Sequence, residues 1–145
     1  MPRILLVAVL FCLAAIPPAR ADVAGKPDVV DGATLRIAGQ TVHLFAIKAP
    51  APGRRCRVAG EVVDCAFQAT NALSFLTAFH WVRCRPVGRV ADGIVARCTM
   101  ADRYDIAEKM VRAGWALADR KLAPQYGAAE DAARAEHAGL WAGEK

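Results

Sequence analysis

The sequence predicts an α+β domain, a small β-barrel with helices packed on it. Three observations lead there. Residues 29–47 alternate apolar and polar side chains around two turn signals, residues 66–79 repeat apolar residues at helical spacing, and residues 81–100 read as a second strand pair followed by two further helical stretches. Strands, one helix, a hairpin and two helices, in that order, describe such a barrel.

The chain opens on a targeting segment. Arg3 supplies the positive start, Ile4 to Ile16 is almost unbroken apolar, and Ala19-Arg20-Ala21 offers small residues for cleavage, so residues 1–21 read as a signal peptide and 22–145 as one domain. The apolar run falls short of the roughly 20 residues a membrane-spanning helix needs, and Pro17-Pro18 would end it, so no transmembrane anchor is expected. Cys12 follows Phe11, not the small residue that precedes a lipidated cysteine, and leaves with the leader. A periplasmic or secreted location follows. Of 19 Lys and Arg, two (Arg3 and Arg20) lie in the leader, which leaves 17 against 14 acidic residues. That mild excess points only weakly to polyanions.

Val29 to Ile47 reads as consecutive antiparallel strands, turned at Asp31-Gly32 and Ala38-Gly39-Gln40. Ala49-Pro-Ala-Pro-Gly53 breaks regular structure, and Ala66, Ala69, Leu73 and Leu76 then mark a helix over Ala66 to Phe79. Trp81 to Val87 and Gly93 to Met100 form the next two strands around Gly88-Arg-Val-Ala-Asp92. Ile106 to Ala118 and Tyr126 to Leu140 are the last two helices.

Four cysteines, Cys56, Cys65, Cys84 and Cys98, remain after the leader. An even number in an exported chain implies disulfides, with three connectivities open. No C-x-x-C pair occurs and the histidines are distant in sequence, which disfavours zinc. A symmetric hairpin sets Val87 opposite Val95 and Cys84 opposite Cys98 in one register, close enough for a bridge, and leaves Cys56 with Cys65. The same register sets Arg85 opposite Arg97 on the other face, beside Arg83. Either solvent screens these like charges or an anion spans them.

The string Val30-Asp31-Gly32-Ala33-Thr34-Leu35-Arg36-Ile37, then Val42-His43-Leu44-Phe45-Ala46-Ile47-Lys48-Ala49-Pro50, resembles the opening of the staphylococcal-nuclease (thermonuclease) family. Further on, Val95-Ala96-Arg97-Cys98, Asp105-Ile106, Gly114-Trp115-Ala116, Glu130, Ala133-Arg134 and Gly139-Leu140-Trp141-Ala142-Gly143 follow in that family's order. The resemblance covers nearly all of residues 22–145 and implies a five-stranded OB-type barrel with three helices. It also implies a site. Members that cut nucleic acids hold calcium between acidic side chains, activate water with another acid, and grip the phosphate with two arginines.

At the matching positions this chain carries other residues. The family's Asp-Gly-Asp-Thr is Asp31-Gly32-Ala33-Thr34, the first arginine is His43, the Asp and Glu of Asp-Ala-Pro-Glu are Lys48 and Ala51, and the second arginine falls at Gly93. Asp31, Thr34 and the substituted His43 are the vestige of the site. Calcium takes six to eight oxygen ligands, and its affinity follows the charge of the site. Three carboxylates are lost and a lysine gained against two lost arginines, so the pocket becomes more positive by about two units with His neutral. No catalytic residue and no calcium are therefore expected, and Asp102-Arg103-Tyr104-Asp105, after Cys98, reads as a helix start with Asp105 as its cap.

The expected function is that of a pseudoenzyme, a non-catalytic binding module for a protein partner or a polyanion. Lys48, Arg54, Arg55, Arg83, Arg85 and Arg97 are the candidate anion-binding residues, with Arg57 beside them. Nucleic acid is the weaker partner, because few aromatics are expected in the groove. The alternative is a nuclease with a rearranged site built from His43 and other acids such as Asp64.

Overall fold

The computed structural model describes residues 21–143, so the expected signal segment up to Arg20, Cys12 included, lies outside the described residues. A short strand, β1 (Val23–Gly25), precedes a meander of β2 (Asp28–Asp31), β3 (Thr34–Ile37) and β4 (Gln40–Leu44). Alternation sends Leu35, Ile37, Val42 and Leu44 into the core and Arg36 to the surface. Asp31 shapes the first turn as expected, its Oδ1 accepting the Ala33 N–H at 2.8 Å.

After β5 (Ile47–Lys48), two strands unforeseen in the sequence, β6 (Arg55–Val58) and β7 (Glu61–Asp64), form a separate two-stranded ribbon. The Cys56–Cys65 disulfide ties this ribbon to α1 (Cys65–Thr77). Asp64 caps α1 by accepting the Phe67 N–H at 3.0 Å, and Cys65, Ala69, Leu73 and Thr77 make its buried stripe. The helix lies close on the β2–β3 turn. A Cβ at Gly32 would stand 2.6 Å from that of Ala69, so the turn needs glycine.

Strands β8 (Val82–Val90) and β9 (Gly93–Met100) pair Cys84 with Cys98, which are bridged, and Arg85 with Arg97. One expectation fails here. Val95 faces Gly88, not Val87, and the hairpin turns on two residues, Ala91 and Asp92. Pro86 has no N–H for the ladder, and the extra residue Val87 bulges out beside it.

The short β10 (Tyr104–Asp105) leads into α2 (Ile106–Arg112), which ends well before Ala118. Gly114, at φ 76°, closes it: its N–H bonds the Val111 carbonyl and the Trp115 N–H bonds that of Met110. The chain can then run as β11 (Leu117–Ala118) against β5. The last expected helix is also shorter, α3 (Tyr126–Ala135), followed by a 3-10 turn at Gly139–Trp141. His137 and Gly139, both at positive φ, separate the two.

The main sheet is mixed and has seven strands in the order β1-β8-β9-β4-β3-β2, with β10 added to β9 and β4 parallel to β9. Among the described residues the α+β class and three helices stand, and the short β1 and β10 join the five longer strands β2, β3, β4, β8 and β9 in the sheet. Its hydrogen bonds run open from β1 to β2, yet β1 folds back on β3, where a Cβ at Gly25 would lie 3.1 Å from Ile37 Cγ2. Among the described residues no helix is long and apolar enough to cross a membrane.

Tyr126 docks α3 on the rest. Its ring is buried, and its hydroxyl donates to Asp105 Oδ2 at 2.6 Å, while Asp105 Oδ1 caps α2. Burial first, then the bond to Asp105 and its charge, pushes the phenol well above its usual pKa. The unfolded chain ionises this tyrosine from about pH 10 upward while the native one holds the proton, so stability falls as pH rises through that window. Urea midpoints at pH 9 and pH 11 should therefore drop more for the native protein than for Tyr126→Phe. Equal drops would refute the assignment.

Candidate binding cleft

The β2–β3 turn, β4, β5, the Pro-rich loop and the first turns of α1 surround a cleft of about 560 Å³. Asp31, Ala33, Thr34, His43, Lys48 and Ala51 all line it, and so does Asp64. Six of the positions read from sequence thus converge in one place.

Gly93 does not line this cleft. It starts β9 against the backbone of β4, and a Cβ added there would press into the Thr41 carbonyl oxygen. No side chain fits on this backbone, so the position assigned to the second arginine cannot carry a phosphate-binding group. The residue before it matters instead. His43 Nε2 lies 3.0 Å from Asp92 Oδ1, on the hairpin turn, and His43 Nδ1 lies 3.2 Å from Thr34 Oγ1. Both ring nitrogens therefore have protein partners, and Thr34 is itself buried. Asp92 escaped the sequence reading because it is 49 residues away, and only the parallel β4–β9 register, His43 opposite Val95, brings the turn over His43.

The cleft's charges do not suit calcium. Its carboxylates are Asp31, which holds Ala33 N–H, and Asp64, which caps α1, while Lys48 lines the same space. Among the described residues no three His, Cys, Asp or Glu side chains cluster as a metal site would need. Two separately engaged acids beside an ammonium do not make the six to eight oxygens that calcium takes.

The basic residues do not gather into one patch. Among the described residues Lys48 is the only Lys or Arg lining the cleft, and neither Arg54 nor Arg55 joins it. Arg55 donates to Val62 O at 3.3 Å and Arg57 to Gly60 O at 3.0 Å, so both fold back on their own ribbon. Arg83, Arg85 and Arg97 line a different depression, with Asp22, Asp102 and Asp105 interleaved. Arg83 Nε bonds Asp102 at 3.0 Å, Arg85 lies 3.8 Å from Asp22, and Arg97 stacks over Phe45 at 4.1 Å. Carboxylates of the chain itself thus sit among the cross-strand arginines, and no external anion is needed to span them.

The model of the staphylococcal nuclease homologue family matches residues 41–143. This chain belongs to the staphylococcal nuclease family. Within that family it is similar to the succinoglycan biosynthesis protein ExoI of Rhizobium meliloti (strain 1021), with 32% identity over 121 residues. The match takes in 81% of this chain and 63% of that protein, so the chain spans less than two thirds of its relative's length. As a staphylococcal nuclease homologue, it has Asp31, Ala33, Thr34, His43, Lys48 and Ala51 around one cleft, with Gly93 outside it.

Proposed function

We propose that this is an exported, non-hydrolytic member of the staphylococcal nuclease family, and that its cleft holds a segment of a partner protein. The observation that carries this reading is the cleft's lining. Ala33 and Ala51 stand where the family has acids, Lys48 adds an ammonium, and Leu44, Ile47, Pro50, Pro52 and Phe67 make most of the wall apolar. A concave apolar surface with a few polar groups suits an uncharged or mixed peptide segment. A polyanion would find one cation there, and its binding would fall steeply with salt. Two disulfides fit an oxidising location such as the periplasm or the exterior. By analogy with the succinoglycan biosynthesis protein ExoI, the partner is a protein of a succinoglycan-type biosynthesis.

The test has two parts. Purified protein with single-stranded DNA and calcium should show no cleavage above a preparation carrying an unrelated protein, with or without EDTA. A partner captured from envelope extract should remain bound at about 0.5 M salt, where charge-driven binding is screened.

The second reading, a rearranged nuclease with His43 as base, draws on the Thr34–His43–Asp92 chain. Its weakness is that both imidazole nitrogens are engaged, so the ring offers water no free acceptor in this arrangement. EDTA-sensitive cleavage that disappears in His43→Ala would establish it and end the first reading.

A further inference from the structure

Residues 65–82 contain no Asp, Glu, Lys or Arg, in a chain whose formal net charge is +5. The stretch covers α1 and the link into β8, and it is not merely core. Phe67 is 60% exposed, Phe75 83%, Phe79 99% and Trp81 67%. Phe67 and Phe75 lie on the side of α1 away from the buried Ala69, Leu73 and Thr77, and Phe79 and Trp81 extend this aromatic stripe in sequence past the helix end at Thr77.

Phe79 stands out further. It follows the Ala78 cap at φ 62°, the left-handed region where helices usually place glycine. Neither burial nor backbone preference explains a phenylalanine there, so the fold alone gives no reason for it.

We propose that this aromatic stripe is a self-association face, on which α1 of a second copy packs. At about 150–250 Å² per aromatic side chain, the four rings expose on the order of 600 Å². A monomer seldom shows more than a few hundred in one patch, and a stable interface buries about 800 Å² per partner. The charge pattern selects the occupant. Near a two-fold axis a side chain meets its own copy, so any Asp, Glu, Lys or Arg there would face its like; this face has none, and His80 is its one ionisable imidazole. Its amide members, Gln68 and Asn71, each carry both donor and acceptor and can pair with themselves, whereas the Ser74 hydroxyl donates to Thr70 O at 2.9 Å within the helix. A membrane-binding helix would flank its aromatics with free Lys or Arg, whereas the nearest arginine, Arg83, is held by Asp102. Phe67 also lines the cleft, so the second copy would narrow its mouth.

Sedimentation velocity of the full-length chain from about 1 to 100 µM should show a monomer–dimer equilibrium with a dissociation constant near 10 µM. Phe75→Glu, at a side chain too exposed to matter for folding, should weaken it at least about 100-fold. Phe79→Gly should weaken it about tenfold while raising the melting temperature by roughly 3 °C, a combination that a merely structural role would not produce. A chain that stays monomeric at 100 µM, or a dimer that ignores both substitutions, overturns the proposal. So does binding of the monomer to phosphatidylglycerol vesicles that Phe75→Glu abolishes, which would assign the face to a membrane. The inference goes beyond the function proposed for the cleft, and the cleavage and capture assays are read separately from sedimentation, so the two can fail independently.

Discussion

Replacing Cys84 and Cys98 together by alanine should lower the unfolding free energy by about 3–5 kcal/mol, more than any other pair of substitutions considered for this chain. The bridge closes a loop with a sequence separation of 14, which alone corresponds to about 3 kcal/mol of restricted unfolded chain. Both cysteines are fully buried between the β8–β9 hairpin and the core, so alanines add a packing loss. The Cys56–Cys65 bridge serves as an internal control. It spans a separation of only 9 and fastens the peripheral β6–β7 ribbon, and its removal should cost about 2 kcal/mol. Urea unfolding of the two double variants measures both. If the Cys56/Cys65 variant proves the less stable of the two, the hairpin is not the keystone of the fold.

Glu130→Ala should be the most damaging single substitution, at about 2–4 kcal/mol. Glu130 sits in α3 at 5% exposure, accepting the Ala118 N–H at 3.0 Å and the Arg120 Nε–H at 2.9 Å. Alanine would leave a β11 amide without its acceptor and take from Arg120 its buried partner. Asp131 would still hold the guanidinium from the solvent side, which sets the upper limit of the loss. Glu130→Gln keeps an oxygen for Ala118 and should cost about half as much. Thermal unfolding of the two variants beside the parent decides it, and an alanine variant within about 0.5 kcal/mol of the parent would remove Glu130 from the structural account.

Several of these features could be read directly from the residues. Alternation from Val29 to Leu44 placed the meander, and the hairpin arithmetic placed Cys84 opposite Cys98 because the bulge at Val87 shifts the pairing beyond it into the register that a symmetric hairpin assumes. The bulge itself had a signal in Pro86, and the early end of α2 had one in Gly114. The β6–β7 ribbon had a weaker signal, because only β6 alternates, with Arg55 and Arg57 exposed and Cys56 and Val58 half-buried, whereas β7 runs two exposed residues into two half-buried ones. The placement of the basic residues was not legible for a different reason. Arg55 and Arg57 bond carbonyls of their own ribbon while Lys48 lines the cleft, and Arg83 on β8 is held by Asp102, contacts that no local pattern announces. His43 with Asp92 was invisible because it depends on a pairing between distant strands, and the exposure of Phe75 and Phe79 depends on which side of α1 the sheet covers.

The parallel seam between Val42–Leu44 and Ile94–Ala96 also bears on how the chain reaches this state. Its partners are separated by 52 residues, whereas the β8–β9 hairpin joins neighbours across a two-residue turn. Closing the longer span costs chain entropy before any seam contact can repay it, and topologies dominated by such contacts fold slowly. The hairpin can zip and oxidise as a local unit first, which leaves the meander's β4 edge waiting for it. Until the two meet, both edges carry open backbone groups, and this interval is when the newly made chain is most exposed to aggregation and to proteolysis.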